Sequence, residues 1–293
     1  MLESIINPKR GERHPWQLLF VGFVYAVVSV LLANWIFSGN NVFEKHISII
    51  SVFFTVMFSI PFVYYTMLYE EKKDTLIKGE RKLLKEHSRA LLAFIFLFLG
   101  YVLAFSLLYI LLPHEVENNF AIQIETYCQI NSYGDNQFND CVTGYLNKVD
   151  SGNVKFTGKN ISNFDTLKNI FLNNLYVMIL TIIFSLFFGA GAIFILAWNA
   201  SVIGAAVGIF AKSLSGLPSG FLRFLFHGIP EILAYFIGGL AGGIIGFAII
   251  KKDLEKEKFT RILEDFAVLL VLGVLVLIFA AVLEVYVTPI FFY

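Results

Sequence analysis

Residues Asn169–Ala211 read NIFLNNLYVMILTIIFSLFFGAGAIFILAWNASVIGAAVGIFA. Lys168 precedes the stretch and Lys212 follows it, with no charged side chain between them. A bilayer core about 30 Å thick is crossed by about 20 helical residues. More than forty residues are too many for one crossing, and Gly189-Ala190-Gly191 offers a tight turn between two. The number of crossings, and the side on which every loop falls, depends on that division.

Outward from it, the apolar runs continue in both directions. Trp16–Phe37, Ile47–Leu68 and Ala90–Leu112 precede it, and Ile229–Ile250 and Phe266–Tyr286 follow. With Ile170–Phe188 and Ala192–Phe210 they make seven. The expected fold is all-α, a polytopic membrane helix bundle of about seven transmembrane helices. Composition agrees: of 293 residues, 57% are hydrophobic and only 15% charged, where soluble domains carry about a quarter charged. A formal net charge of zero leaves no basic excess to neutralise phosphates, which argues against a nucleic-acid partner. The first run exceeds a signal peptide's apolar region of roughly 7–15 residues and lacks a clear cleavage site, so it reads as an uncleaved anchor.

Lysine and arginine set the orientation. They gather at Lys9, Arg10 and Arg13, along Tyr69–Arg89, and at Lys251, Lys252, Lys256, Lys258 and Arg261. Seven spans with the amino terminus in the cytoplasm put all three groups inside, and the carboxyl terminus outside the cell membrane. The chain then divides into a three-span region (1–112), an extracytoplasmic loop (113–169) and a four-span region (170–293). Tyr69–Arg89 reads as a helix running into the cytoplasm with a solvated charged face; contact with lipid headgroups or with a protein is the alternative.

The outer loop holds both cysteines, Cys128 and Cys141. On the oxidising side they are expected to close a disulfide, with two free thiols as the alternative. Asn160-Ile161-Ser162 is a glycosylation sequon. Tyr133–Asn139 and Asp150–Asn160, rich in Gly, Asn, Asp and Ser, read as irregular.

The second half is glycine-rich. Gly204 and Gly208 in the fifth span, and Gly238, Gly239, Gly242, Gly243 and Gly246 in the sixth, form flat stripes on which a second backbone can pack. Packing between the fifth and sixth spans is expected, with a homo-oligomer interface as the alternative. Between those spans, Ala211–Phe226 carries Gly216, Pro218 and Gly220. It reads as an interfacial or re-entrant segment.

LFHGIPE, residues Leu225–Glu231, follows. Pro230 suits a helix's first turn, and Glu231 would meet the positive end of its dipole. That places His227 before the helix, with no guarantee of a face shared with Glu231. Topology puts Glu231, Glu284, Asn173 and Asn174 at one outer level, with Arg223 and His227 just before it and Asn199 nearer mid-membrane. Ionisable groups in spans pair or line pathways. Three roles are open: a satisfied network in which Arg223 or His227 pairs Glu231 or Glu284, a proton or ion relay, or a metal hydrolase site. The last is the weakest, since this half has one histidine and catalytic zinc generally takes three protein ligands. HExxH, GxSxG and GxxxxGK[ST] motifs are all lacking, so no catalytic residue, metal or cofactor is expected.

FLNNLYVMIL, LAWNASVIGAAVG, FHGIPEILAYFIGGLAGGIIGFAI and AAVLEVYVTP occur in that order. Together they resemble the stage II sporulation protein M (SpoIIM-like) family over roughly residues 170–290, with a looser match of the three preceding spans. Asn174, Asn199, Gly204, His227, Gly228, Glu231, Glu284 and Pro289 carry the motifs. In spore formers the resemblance implies a membrane component that anchors peptidoglycan-degrading enzymes. The expected function is therefore a non-enzymatic scaffold for an envelope-associated complex. Its partners would be the lipid bilayer, envelope or membrane proteins still to be identified, and a second copy of the chain. The alternative is a transporter or ion-coupled permease using the His/Glu/Asn cluster.

Overall fold

A computed structural model describes residues 8–76, 80–131, 135–146, 163–188, 191–250 and 256–292. Among them every regular element is helical. Helix α1 (Pro8–Arg13) leads into α2 (Trp16–Phe37), α3 (Ile47–Leu76) and α4 (Glu80–Leu111). A hairpin, α5 (Val116–Asn131) and α6 (Asp135–Leu146), separates these from α7 (Asn163–Phe188), α8 (Ala192–Ala211), α9 (Leu217–Ile250) and α10 (Lys256–Val282). A π-helical turn, Leu283–Val287, and a short α11 (Thr288–Phe292) complete the order. Seven of these described helices are long and apolar enough to cross a membrane. The division of the uncharged stretch falls just before Ala192, where α8 begins; Gly189 and Ala190 lie outside the described residues.

Helices α3 and α4 extend past their apolar runs into charged sequence. Hydropathy marks where lipid ends, whereas a helix ends where its hydrogen-bond ladder does. Pro61 sits inside α3 without ending it. Along one buried face of α3 run Ser48, Ser51, Thr55, Ser59, Phe62, Thr66, Glu70 and Lys73. Ser51, Thr55, Ser59 and Thr66 each donate to the carbonyl four residues back, so no hydroxyl of these four enters the bundle unspent. Because the Ser59 proton goes to the Thr55 carbonyl, Tyr101 donates to Ser59 Oγ at 2.5 Å.

Glycines decide which helices approach closely. A methyl group on Gly22 would strike the Leu97 carbonyl, and one on Gly100 the Leu19 carbonyl, so α2 and α4 interlock through glycines facing backbone. In the second half the fifth and sixth spans do pack on each other, but most of the stripe glycines meet other helices. A Cβ on Gly204 would lie 2.5 Å from that of Phe105, and one on Gly208 would lie 2.6 Å from the Tyr109 ring, which docks α8 on α4. A Cβ on Gly242 or Gly246 would lie 2.5 Å from the carbonyl oxygen of Ile182 or Leu186, which docks α9 on α7. Gly238 faces Met178 and Ile182, Gly239 faces Ala192, and Gly243 is buried. Small-residue spacing marks a flat face but not the partner.

Two further expectations change. The backbone around Gly216, Pro218 and Gly220 is regular rather than broken: a 3-10 turn (Leu214–Gly216) leads straight into α9, which continues through Pro230 to Ile250. Pro218 fills the first-turn role assigned to Pro230, since an orphan N–H position tolerates proline. In the outer loop, part of Tyr133–Asn139 is helical. Phe138, Cys141, Val142 and Tyr145 bring an apolar face at helical spacing against the core, and that face outweighs turn-forming composition. Asp150–Asn160 and its sequon lie outside the described residues.

The hairpin is joined by the Cys128–Cys141 disulfide, Cα–Cα 5.8 Å. Its α5 packs on α3 and α8. Asn34 donates to Asn119 at 2.7 Å, and Gln123 donates to the Ser48 carbonyl and to Ser201 Oγ, both at 3.3 Å. The hairpin is thus packed into one end of the bundle.

Candidate functional site

Continuity of α9 through Pro230 changes how HGIPE reads. His227, Glu231 and Tyr235 fall at i, i+4 and i+8 of one helix and share its face. Helix α7 meets α9 along the glycine stripe and brings Asn174 to that face. The Asn174 amide donates to Glu231 Oε1 at 2.6 Å, and Tyr235 donates to Asn174 Oδ1 at 2.8 Å.

The third contribution comes from the end of α10. At Leu283–Val287 the ladder widens into a π turn, a distortion often found at functional sites. It carries Glu284, which comes within hydrogen-bonding reach of Glu231 and within electrostatic range of His227. One turn on, Thr288 donates to the Leu283 carbonyl at 3.1 Å. Its oxygen lies 3.4 Å from His227 Nδ1. With the hydroxyl proton spent, an N–H on Nδ1 is the donor in that long contact.

Asn174, His227, Glu231 and Glu284 therefore meet, joined by Tyr235 and Thr288. Arg223 lies one turn before His227 with its guanidinium 4.2 Å from the Phe210 ring centre, a cation–π contact. Asn199 spends its amide on the Ile195 carbonyl of its own helix at 2.7 Å, and Asn173 is exposed. Tyr235 and Thr288 escaped the sequence reading although each follows a site glutamate by four residues. Starting the helix at Pro230 hid only the shared face of His227 and Glu231.

A second polar centre lies at the opposite end of the bundle. Lys73 bridges Glu12 Oε2 at 2.7 Å and Glu70 Oε1 at 2.5 Å, and His87 Nδ1 donates to Glu70 Oε2 at 2.6 Å. All four are buried, so part of the charge in Tyr69–Arg89 turns inward, while Lys72, Lys85 and Arg89 keep an exposed face. Burial, and then the adjacent Glu70 carboxylate, push the Glu12 carboxyl up to about 7 against the opposing pull of Lys73. The 3–4 spacing of Ser, Thr, Glu and Lys along α3 was the signal that could have revealed this centre. Among the described residues no group of three or more His, Cys, Asp or Glu side chains is placed to hold a metal ion.

Comparison with known proteins adds a family. The model of the stage II sporulation protein M family matches residues 46–289, so the chain belongs to that family. An uncharacterized protein of Methanocaldococcus jannaschii is 30% identical over 145 residues, which is 46% of this chain and 80% of that one. No solved structure matches.

Proposed function

We propose that this membrane protein is a proton-coupled permease whose proton-binding centre is the Glu231–Glu284 pair. The observation that carries the reading is two carboxyls in contact within the apolar bundle, linked by amide, phenol, imidazole and hydroxyl groups. Two adjacent carboxyls in a low-dielectric layer repel one another unless a positive charge lies with them. Such groups inside membrane spans mark ion and proton paths. His227, near Glu284, is the group positioned to exchange a proton with them. The π turn supplies a backbone that can shift while its neighbours stay packed.

The test is pH-driven flux in proteoliposomes of the full chain. Wild type is expected to dissipate an imposed proton gradient, and Glu231→Gln and Glu284→Gln each to abolish protein-dependent flux. Equal flux in all three would remove the pair from any pathway.

A second reading, the envelope scaffold, is favoured by the stapled α5–α6 hairpin, a rigid platform on the side that the positive-inside rule assigns to the exterior. Glycine stripes no longer support it, because they are consumed within the monomer. Quantitative pull-downs from native membranes that repeatedly return the protein alone would sink it.

A further inference from the structure

Helix α1 lies against α3 and α4 at the end of the bundle away from HGIPE. Only two of its six residues are buried, Gly11 and Glu12. Gly11 has no side chain to grip with and sits against the Phe62 ring, where a Cβ would come within 2.9 Å. Lys9, Arg10 and Arg13 face outward, and Lys9 adds one contact 5.5 Å from the centre of the Tyr69 ring. The helix is therefore seated chiefly by one buried side chain, that of Glu12.

Glu12 enters a place already occupied by an acid. Its Oε2 accepts a hydrogen bond from Lys73 at 2.7 Å, and its carboxyl also hydrogen-bonds with that of Glu70. Lys73 bridges both acids, and His87 holds the far oxygen of Glu70 at 2.6 Å. Other charged and titratable groups stand further out: Lys9 and Arg13 on α1, Tyr69 on α3, and Glu86 and Arg89 on α4, the last two paired. A hydrogen bond between two carboxyls requires a proton on one of them. With that proton, Glu12 donates to Glu70 while both stay on Lys73. Without it, two carboxylates divide one lysine in a buried site, and Lys73 offsets their repulsion and desolvation only in part. Once α1 leaves, Glu12 is hydrated and has no such neighbour. The seated helix thus holds the proton more tightly than the released one, and by linkage the proton favours seating.

We propose that α1 is a proton-operated latch: protonation of Glu12 seats it against α3 and α4, and loss of that proton lets it lift. The latch closes a cavity of about 480 Å³, to which α1 contributes Lys9, Glu12 and Arg13. Lifting α1 removes that side of the wall and opens the buried Glu70–His87 pair to water. The Glu12 carboxyl, pushed up to about 7 by burial and by Glu70, puts the working range just below neutrality. The latch shares no residue with the Glu231–Glu284 centre and stands whether or not the chain is a permease.

The test is a pulsed electron–electron distance measurement on the full chain in nanodiscs, with nitroxide labels on Arg10→Cys and Lys85→Cys. Both positions are exposed, and the two native cysteines are bonded to each other, so only the introduced thiols react. From pH 7.5 down to pH 5 the ratio of seated to released α1 is expected to rise, by up to about tenfold per unit, the limit for one proton. Glu12→Gln keeps a donor for Glu70 and an acceptor for Lys73 without charge, so it should stay seated across the range. Glu12→Ala removes the anchor and should be released throughout.

Wild-type distances unchanged by pH, or Glu12→Ala seated as wild type is, would overturn the latch. Release of Glu12→Gln at every pH would mean that the charged form does the seating, the reverse of the proposal. A wild-type shift that persists undiminished in Glu12→Gln would assign the response to another group, His87 first, and overturn it as well. If neither Glu12 variant folds, the wild-type series decides alone, and seating that strengthens as pH rises sinks the idea.

Discussion

The two polar centres of this bundle solve the same problem in opposite ways. At the lysine-rich end, Glu12, Lys73, Glu70 and His87 form a chain of alternating sign in which each acid touches a basic partner. In the HGIPE layer Glu231 and Glu284 come within hydrogen-bonding reach, as Glu12 and Glu70 do, but the groups that reach them are Asn174, Tyr235 and His227 rather than a lysine. Compensated charge in a low-dielectric setting costs little more than its desolvation, but breaking one member leaves an orphan. Uncompensated carboxyls persist only by sharing a proton, and a proton held that way can be passed on. The first arrangement holds helices; the second is the one that the proposed permease would use.

The largest expected effect follows from orphaning. Lys73→Met leaves Glu12 and Glu70 facing each other in a buried site and should destabilise the protein by about 3–5 kcal/mol. Thermal unfolding in mild detergent would show it, and a shift no larger than that of an exposed substitution would sink the compensated-chain account. Glu231→Leu should be intermediate, about 2 kcal/mol, because the Asn174 amide loses its acceptor. Glu231→Gln keeps an acceptor for Asn174 and should cost about 1 kcal/mol or less. Equal and severe loss of folded yield for Leu and Gln would mean that the second centre also depends on charge for its stability. The contrast is then sharpest in function, where Gln is expected to abolish flux while sparing the fold.

A pH dependence confined to the first centre is expected as well. Folding raises the Glu12 carboxyl from 4.5 to about 7, so between those values the folded protein holds a proton that the unfolded chain has released. Its contribution is fully present below pH 4.5 and is lost as pH rises through about 7. Glu12→Gln should flatten the unfolding temperature across that window. A profile as steep in the variant as in wild type would assign the dependence to another group.

The crossings were legible before any coordinates. A run such as Trp16–Phe37 can bury its backbone polar groups in lipid only as a helix, so length and apolarity suffice to locate it. Legibility failed where two local signals competed, as at Pro230. Proline favours a helix start, but the packing of α9 on α7 and α10 carries the helix straight through it. That one misplacement separated His227 from Glu231. It failed again at Tyr69–Arg89, where charge suggested solvent although the Ser/Thr spacing along α3 pointed inward.

Seven apolar helices, the ionisable residues among them, and the cysteine pair are properties of the chain read alone, because each rests on local composition and on the demand of lipid for closed backbone hydrogen bonding. Partners are another matter. That Gly204 meets Phe105, that Glu231 meets Asn174 and Glu284, and that Glu12 crosses to Lys73 follow from which helix faces interlock. Helix period tells which residues share a face but not which face of another helix fills it, and only close packing of the assembled bundle settles that choice.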